Sequence, residues 1–190
     1  PTSILDMIEE ANDYYFPTLT GVYLKVTRTL ITIATVFFTP LYLLFMQNQQ
    51  WLPEAFEFVA VRDTVNIPLI FQFLLLELSI DGLRLAAMNT PTMLSTPLSV
   101  IAGIVMGEFS VQSGWFNSEV MLYMAFVAVA NYTQPNFELG YALKFMRLML
   151  LILTAAFNLY GFIIGCILVL CFLIFNKTLS GRNYLNIKLN

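Results

Sequence analysis

Uncharged apolar stretches alternate with short polar breaks along most of this sequence. Pro1–Tyr15 is polar and acidic, and the spacing of Ile4, Leu5, Ile8 and Ala11 predicts a short amphipathic helix there. Leu30–Met46 is the first uncharged run, 17 residues long and at the lower limit for spanning a bilayer. It lengthens when counted from Val26, and Pro40 predicts a kink that membrane helices tolerate. Gln47–Asn66 reads as a loop, with Trp51 a candidate interface anchor. Ile67–Met88 is a second apolar run, interrupted by Gln72, Glu77, Asp81 and Arg84 and ended by Asn89-Thr90-Pro91.

Leu98–Val111 and Val120–Tyr132 are shorter. Each makes about 21 Å of helix against a hydrocarbon core of about 30 Å. They suit a re-entrant hairpin around Ser113-Gly114-Trp115, shielded by protein. Leu148–Phe175 is the longest run, 28 residues without a charge. It reads either as one long tilted span or as two elements broken near Asn158–Gly161. The expected fold is therefore all-α: a polytopic transmembrane helical bundle with four to five hydrophobic elements, one pair a candidate re-entrant hairpin. Residues 1–25 are expected to be a polar N-terminal segment, 26–175 the transmembrane domain and 176–190 a polar C-terminal tail. A first residue that is proline suggests a piece of something longer, with 1–25 the end of a missing soluble region.

Composition supports this. The 190 residues are 58% hydrophobic and 11% charged, against about 25% charged in soluble domains. Net charge is −3 without a basic block, which leaves nucleic acid no electrostatic footprint. The absence of histidine removes the commonest general base and metal ligand. No nucleotide-binding glycine loop, HExxH, CxxC or GxSxG occurs. The chain is read as a non-enzyme without catalytic residues, cofactor or metal. Cys166 and Cys171, five apart and off one helical face, read as reduced core residues. Lys25 and Arg28 before the first run favour a cytoplasmic N-terminus, and the basic tail asks for the same side. Five full crossings would separate them, so one element is expected not to cross.

Charges inside an apolar run are the strongest clue to chemistry. In a helix, Glu77, Asp81 and Arg84 fall within roughly 60° of one another. Each charge costs about 2.5–3.5 kcal/mol at a bilayer centre, so all three must face protein or water. Asp81 and Arg84, at i and i+3, can pair, which leaves Glu77 the less compensated carboxylate. Glu77, Asp81 and Arg84 are candidate ion-pathway residues, joined by Gln72 and Glu108. The alternatives are an interhelical salt-bridge cluster, or a polar half lying at the membrane surface. Glu108 also fits a membrane–water boundary, and Gln72 a hydrogen bond between helices. Gly103 with Gly107, and Gly161 with Gly165, form two GxxxG motifs that permit close helix packing. Glu138, Lys144 and Arg147 flank the last run, where a solvated face is expected, with Glu138 pairing to either base as the other reading.

Two long motifs carry a resemblance. The segment from Asn66 to Pro91, with Phe-Gln72-Phe-Leu-Leu-Leu-Glu77 and Asp81-Gly-Leu-Arg84-Leu-Ala-Ala-Met-Asn-Thr-Pro91, resembles the signature of the GerA spore germination family. So does Gln134-Pro135-Asn-Phe-Glu138 through Lys144 and Arg147. The wording at Asp81–Pro91 is similar to the stage V sporulation AF branch, whereas germinant-receptor A subunits more often read Glu-x-x-Arg-Glu-Ala. The resemblance runs from about Tyr14 to about Leu185. It implies a multi-pass protein of the bacterial spore inner membrane that acts in germination. It further implies a homo-oligomeric channel, with a pentamer suggested, that releases monovalent cations and works with B-type or C-type germination subunits in membrane lipid. A non-conducting membrane scaffold that assembles those partners is the alternative.

Overall fold

The structure is a computed structural model that describes residue 8 and residues 17–61, 65–89, 100–134 and 136–175, the side chains of Met106, Phe137 and Phe175 excepted. Among the described residues there is no strand. Helix α1 is Thr18–Gln47, α2 Leu69–Asn89, α3 Val100–Gln112, α4 Ser118–Tyr132 and α5 Phe137–Phe175. Two short 3-10 turns, Gln49–Trp51 and Glu54–Val59, occupy the expected loop, where Trp51 is 43% exposed. The predicted Ile4–Ala11 helix lies mostly outside the described residues, although Ile8 is helical and buried.

Two helices are long and apolar enough to cross a membrane, Thr18–Gln47 and Glu138–Ile174. The expected four to five elements are thus clear for two. α3 and α4 are shorter than a span, as their runs suggested. α2 carries Glu77, Asp81 and Arg84 within its length. The Glu138–Ile174 helix differs from the core helix of a water-soluble protein in one respect. Only 17% of its most apolar stretch is buried, so large side chains such as Ile163, Ile167 and Leu170 face outward. An exposed apolar face of that length calls for lipid rather than water around it.

The chain divides into two compact units. Unit 1 comprises residues 1–44 and 129–190, and unit 2 residues 45–128. In unit 1, Val36 of α1 is buried with Leu139, Leu143, Met146, Leu150 and Val169 of α5 in one cluster, and Ile8 joins it. The β-branched polar residues of α1 fit an apolar helix because their hydroxyls turn back on it. Thr29, Thr32 and Thr35 donate to the carbonyls of Lys25, Arg28 and Ile31 at 2.8–2.9 Å. Pro40 lies within this helix and has no N–H to return to the Val36 carbonyl.

α5 is folded in two. Asn158 has φ 53° and ψ −131°, far from helical values. A Cβ on Gly161 would overlap the Leu153 carbonyl oxygen, and one on Gly165 would lie 2.6 Å from Leu150 Cδ2. Along a straight helix, residues 150 and 165 would be about 22 Å apart. The arms 137–157 and 159–175 therefore run antiparallel against each other. The expected break near Asn158–Gly161 is present, and the single tilted span is not. In unit 2, Phe73, Leu76, Phe116, Val120, Met124 and Val127 are buried.

Candidate functional site

Unit 2 places the predicted charged residues on α2, graded along one face. Glu77 is 4% exposed, while Asp81 and Arg84 are half-buried. All three make interactions within the fold. One and a half turns before Glu77, Gln72 is 1% exposed and held from two directions. Its Nε2 donates to the Ile67 carbonyl at 2.8 Å and to Asn117 Oδ1 at 2.7 Å, and its Oε1 accepts the Asn117 N–H at 2.9 Å. Asn117, itself 2% exposed, stands just before α4. Gln72 and Asn117 thus tie the start of α2 to the start of α4 and leave little polar capacity unmet in a place where orphaned amides are costly.

Glu108 is elsewhere in character. It lies exposed within a single π-helical turn of α3, Val105–Phe109, and accepts a hydrogen bond from Gln112 Nε2 at 3.2 Å. The two glycine pairs also part company. Among the described residues, nothing lies within 4 Å of where a Cβ on Gly103 or Gly107 would sit. Gly161 and Gly165 meet the opposite arm of α5 directly. Cys166 and Cys171 are both free thiols. Among the described residues no group of three or more His, Cys, Asp or Glu gathers as a metal site.

Unit 1 holds a second polar assembly that the charge pattern did not reveal. Lys144 and Arg147, expected on a solvated face, are 6% and 2% exposed, whereas Glu138 is exposed. Arg147 Nη1 donates to the Thr35 carbonyl of α1 at 3.0 Å. Thr32, Thr35 and Thr39, spaced along one face of α1, are at most 6% exposed. Gln134 Nε2 donates to the Thr32 hydroxyl at 3.0 Å, and that hydroxyl passes its own proton to Arg28 O. Thr154, fully buried, donates to the Leu150 carbonyl. The signal was present in helical spacing. Leu143, Lys144, Met146, Arg147, Leu150, Leu151 and Thr154 recur at three and four, the stripe that a helix buries.

The sequence matches the family model described as Bacillus/Clostridium GerA spore germination protein over residues 1–189. The chain belongs to the GerA family.

Its GerA relatives include stage V sporulation protein AF of Bacillus subtilis strain 168, 35% identical over 165 residues, which covers 87% of this chain and 34% of that protein. Spore germination protein A1 of the same strain is 26% identical, with 89% of this chain and 36% of the relative covered. The uncharacterized membrane protein YfkQ, also of that strain, is 22% identical, with 88% and 33% covered. The chain therefore spans about a third of the length of the curated relatives it matches. No solved structure matches it. Stage V sporulation protein AF and spore germination protein A1 connect the family with sporulation and germination.

Proposed function

We propose that this chain is the membrane portion of a germination protein that assembles into a homo-oligomeric, multi-pass cation channel in the spore inner membrane. The observation that carries the reading is the graded charged face of α2. Asp81 and Arg84 are half-buried, and Glu77 is nearly sealed at the inner end of the same face. Such a face opens toward water at one end and presents a carboxylate at the other. Carboxylate rings commonly set cation selectivity in pores. A ring of copies, a pentamer by family resemblance, would line the path with the half-buried Asp81 and Arg84 of each chain and hold one Glu77 just behind them. The charge would strip monovalent cations of part of their water while weak, multi-site binding lets them leave. Partnership with B-type or C-type germination subunits follows from the same family relationship.

One observation favours the scaffold reading. The Gln72–Asn117 clasp and the Arg147–Thr35 bond show that buried polar groups here also fix helix positions. Potassium and sodium efflux from liposomes separates the two, with the chain compared against Glu77→Gln and Arg84→Ala. The channel predicts efflux whose rate or K/Na preference changes in Glu77→Gln while the oligomer persists. An assembled, inserted oligomer that conducts nothing supports the scaffold.

A further inference from the structure

Thr39 breaks a pattern on α1. Thr29, Thr32 and Thr35 each return a hydroxyl proton to the carbonyl four residues back. Thr39 is fully buried, yet its Oγ1 makes no hydrogen bond. The reason lies on α5. The carbonyl that Thr39 would use is that of Thr35, and Arg147 Nη1 already donates to it at 3.0 Å. A carbonyl oxygen has two lone pairs. In a helix the other one serves the N–H four residues on, which here is that of Thr39 itself. The Thr35 carbonyl therefore has no room for the Thr39 hydroxyl.

Pro40 sets a second polar atom beside the first. A proline has no N–H to give the Val36 carbonyl, and its ring pushes that carbonyl away and opens the helix between them. Val36 is three residues before Thr39, and a threonine hydroxyl in a helix lies beside the carbonyls three and four residues back. A proton without an acceptor and a carbonyl without its helical donor thus stand together. Val36, Thr39, Pro40 and Leu43 share one face of α1, and all four are buried. Bulk solvent does not reach that face, and orphaned polar groups in an interior are costly.

What joins these two atoms must be small, uncharged and able both to accept and to donate. The Arg147 guanidinium, held at the carbonyl next to that of Val36, repels a cation, and the Val36 carbonyl oxygen repels an anion. Ordered water is one of the ways in which membrane helices satisfy a carbonyl freed by proline. We propose that α1 binds one structural water at Pro40, which accepts the Thr39 hydroxyl proton and donates to the Val36 carbonyl.

The test compares the full chain with Thr39→Val in lipid nanodiscs, a change that keeps the shape of the side chain and removes the hydroxyl. For a hydroxyl with nothing bound to it, valine is the better interior residue and the melting temperature rises. With the water in place, valine removes its anchor and the melting temperature falls by about 2–4 °C. Pro40→Ala returns an N–H to the Val36 carbonyl, so in that background the fall is lost. A rise in Thr39→Val overturns the water, and a fall of equal size in both backgrounds overturns the bridge to Val36. Radiolytic hydroxyl footprinting gives a readout that does not depend on Pro40→Ala folding. Tyr42, 5% exposed and one turn beyond Thr39, is oxidised in the parent by radicals formed from the bound water and is protected in Thr39→Val. A Tyr42 left unmodified in the parent, or modified alike in both proteins, overturns the site.

Discussion

Gln72 and Asn117 grip each other twice across 45 residues of sequence, side-chain amide to side-chain oxygen at 2.7 Å and backbone N–H to side-chain oxygen at 2.9 Å. Both residues are almost fully buried. Truncating Gln72 removes both bonds, whereas truncating Asn117 removes only the one to its Oδ1, because the other is donated by backbone. Gln72→Ala is expected to cost about 1–3 kcal/mol. Thermal unfolding in detergent, run as a double-mutant cycle with Asn117→Ala, checks this. The pair should show coupling of about 1 kcal/mol or more, and strict additivity would mean that the side-chain bond between them contributes nothing.

The glycines give a contrast within one motif. Gly161→Ala forces the arms of α5 apart, because the new methyl meets the Leu153 carbonyl oxygen, which belongs to backbone. A loss of about 1–3 kcal/mol or more is expected. Gly103→Ala and Gly107→Ala meet nothing among the described residues, and alanine is the better helix former by about 1 kcal/mol. Those two variants should hold or raise the stability of the single chain. If another copy packs on that face, chemical cross-linking will show a weaker oligomer at the same time.

Arg147 links the first arm of α5 to α1 through the Thr35 carbonyl. Arg147→Met should destabilise the chain by about 1.5–3 kcal/mol, the range for a hydrogen bond to a charged group. Arg147→Lys is expected to recover only part of that, since a lysine lacks the planar fork that reaches several acceptors at once. Comparing the melting temperatures of the three proteins in one detergent reads this directly.

Asn158 adopts a backbone conformation that costs a residue with a Cβ about 1–3 kcal/mol. Asn158→Ile should therefore lower the melting temperature, whereas Asn158→Gly should be tolerated. An isoleucine variant as stable as the parent would show that the reversal relaxes elsewhere.

Several of these features could be read from residue order alone. Asn158 and Gly161 stand out as turn formers inside an apolar run, and the break is there. The Lys144–Arg147 assembly was hidden because counting charges makes them the end of a span. Only their position on the same helical stripe as Leu143 and Leu150 shows them to be interior. The Gln72–Asn117 clasp joins segments whose meeting no local pattern encodes. Gly103-x-x-x-Gly107 and Gly161-x-x-x-Gly165 are the same string with opposite surroundings, and what faces a small residue is a property of the fold. By length and composition, two helices among the described residues are clear candidates to cross, because α3 and α4 are short and α2 is charged.

The reversal at Asn158 also bears on how such a chain enters a bilayer. Two antiparallel arms inserted together return the chain to the side it left, so nothing beyond the bend has to be carried through. The bend itself is only Asn158, Leu159 and Tyr160, with no charge among them. Lys144 and Arg147 lie buried toward the middle of the first arm, and the second arm carries no charge at all. A hairpin of this kind leads with an uncharged tip, and the two cations that follow are met inside the fold, Arg147 by the Thr35 carbonyl of α1.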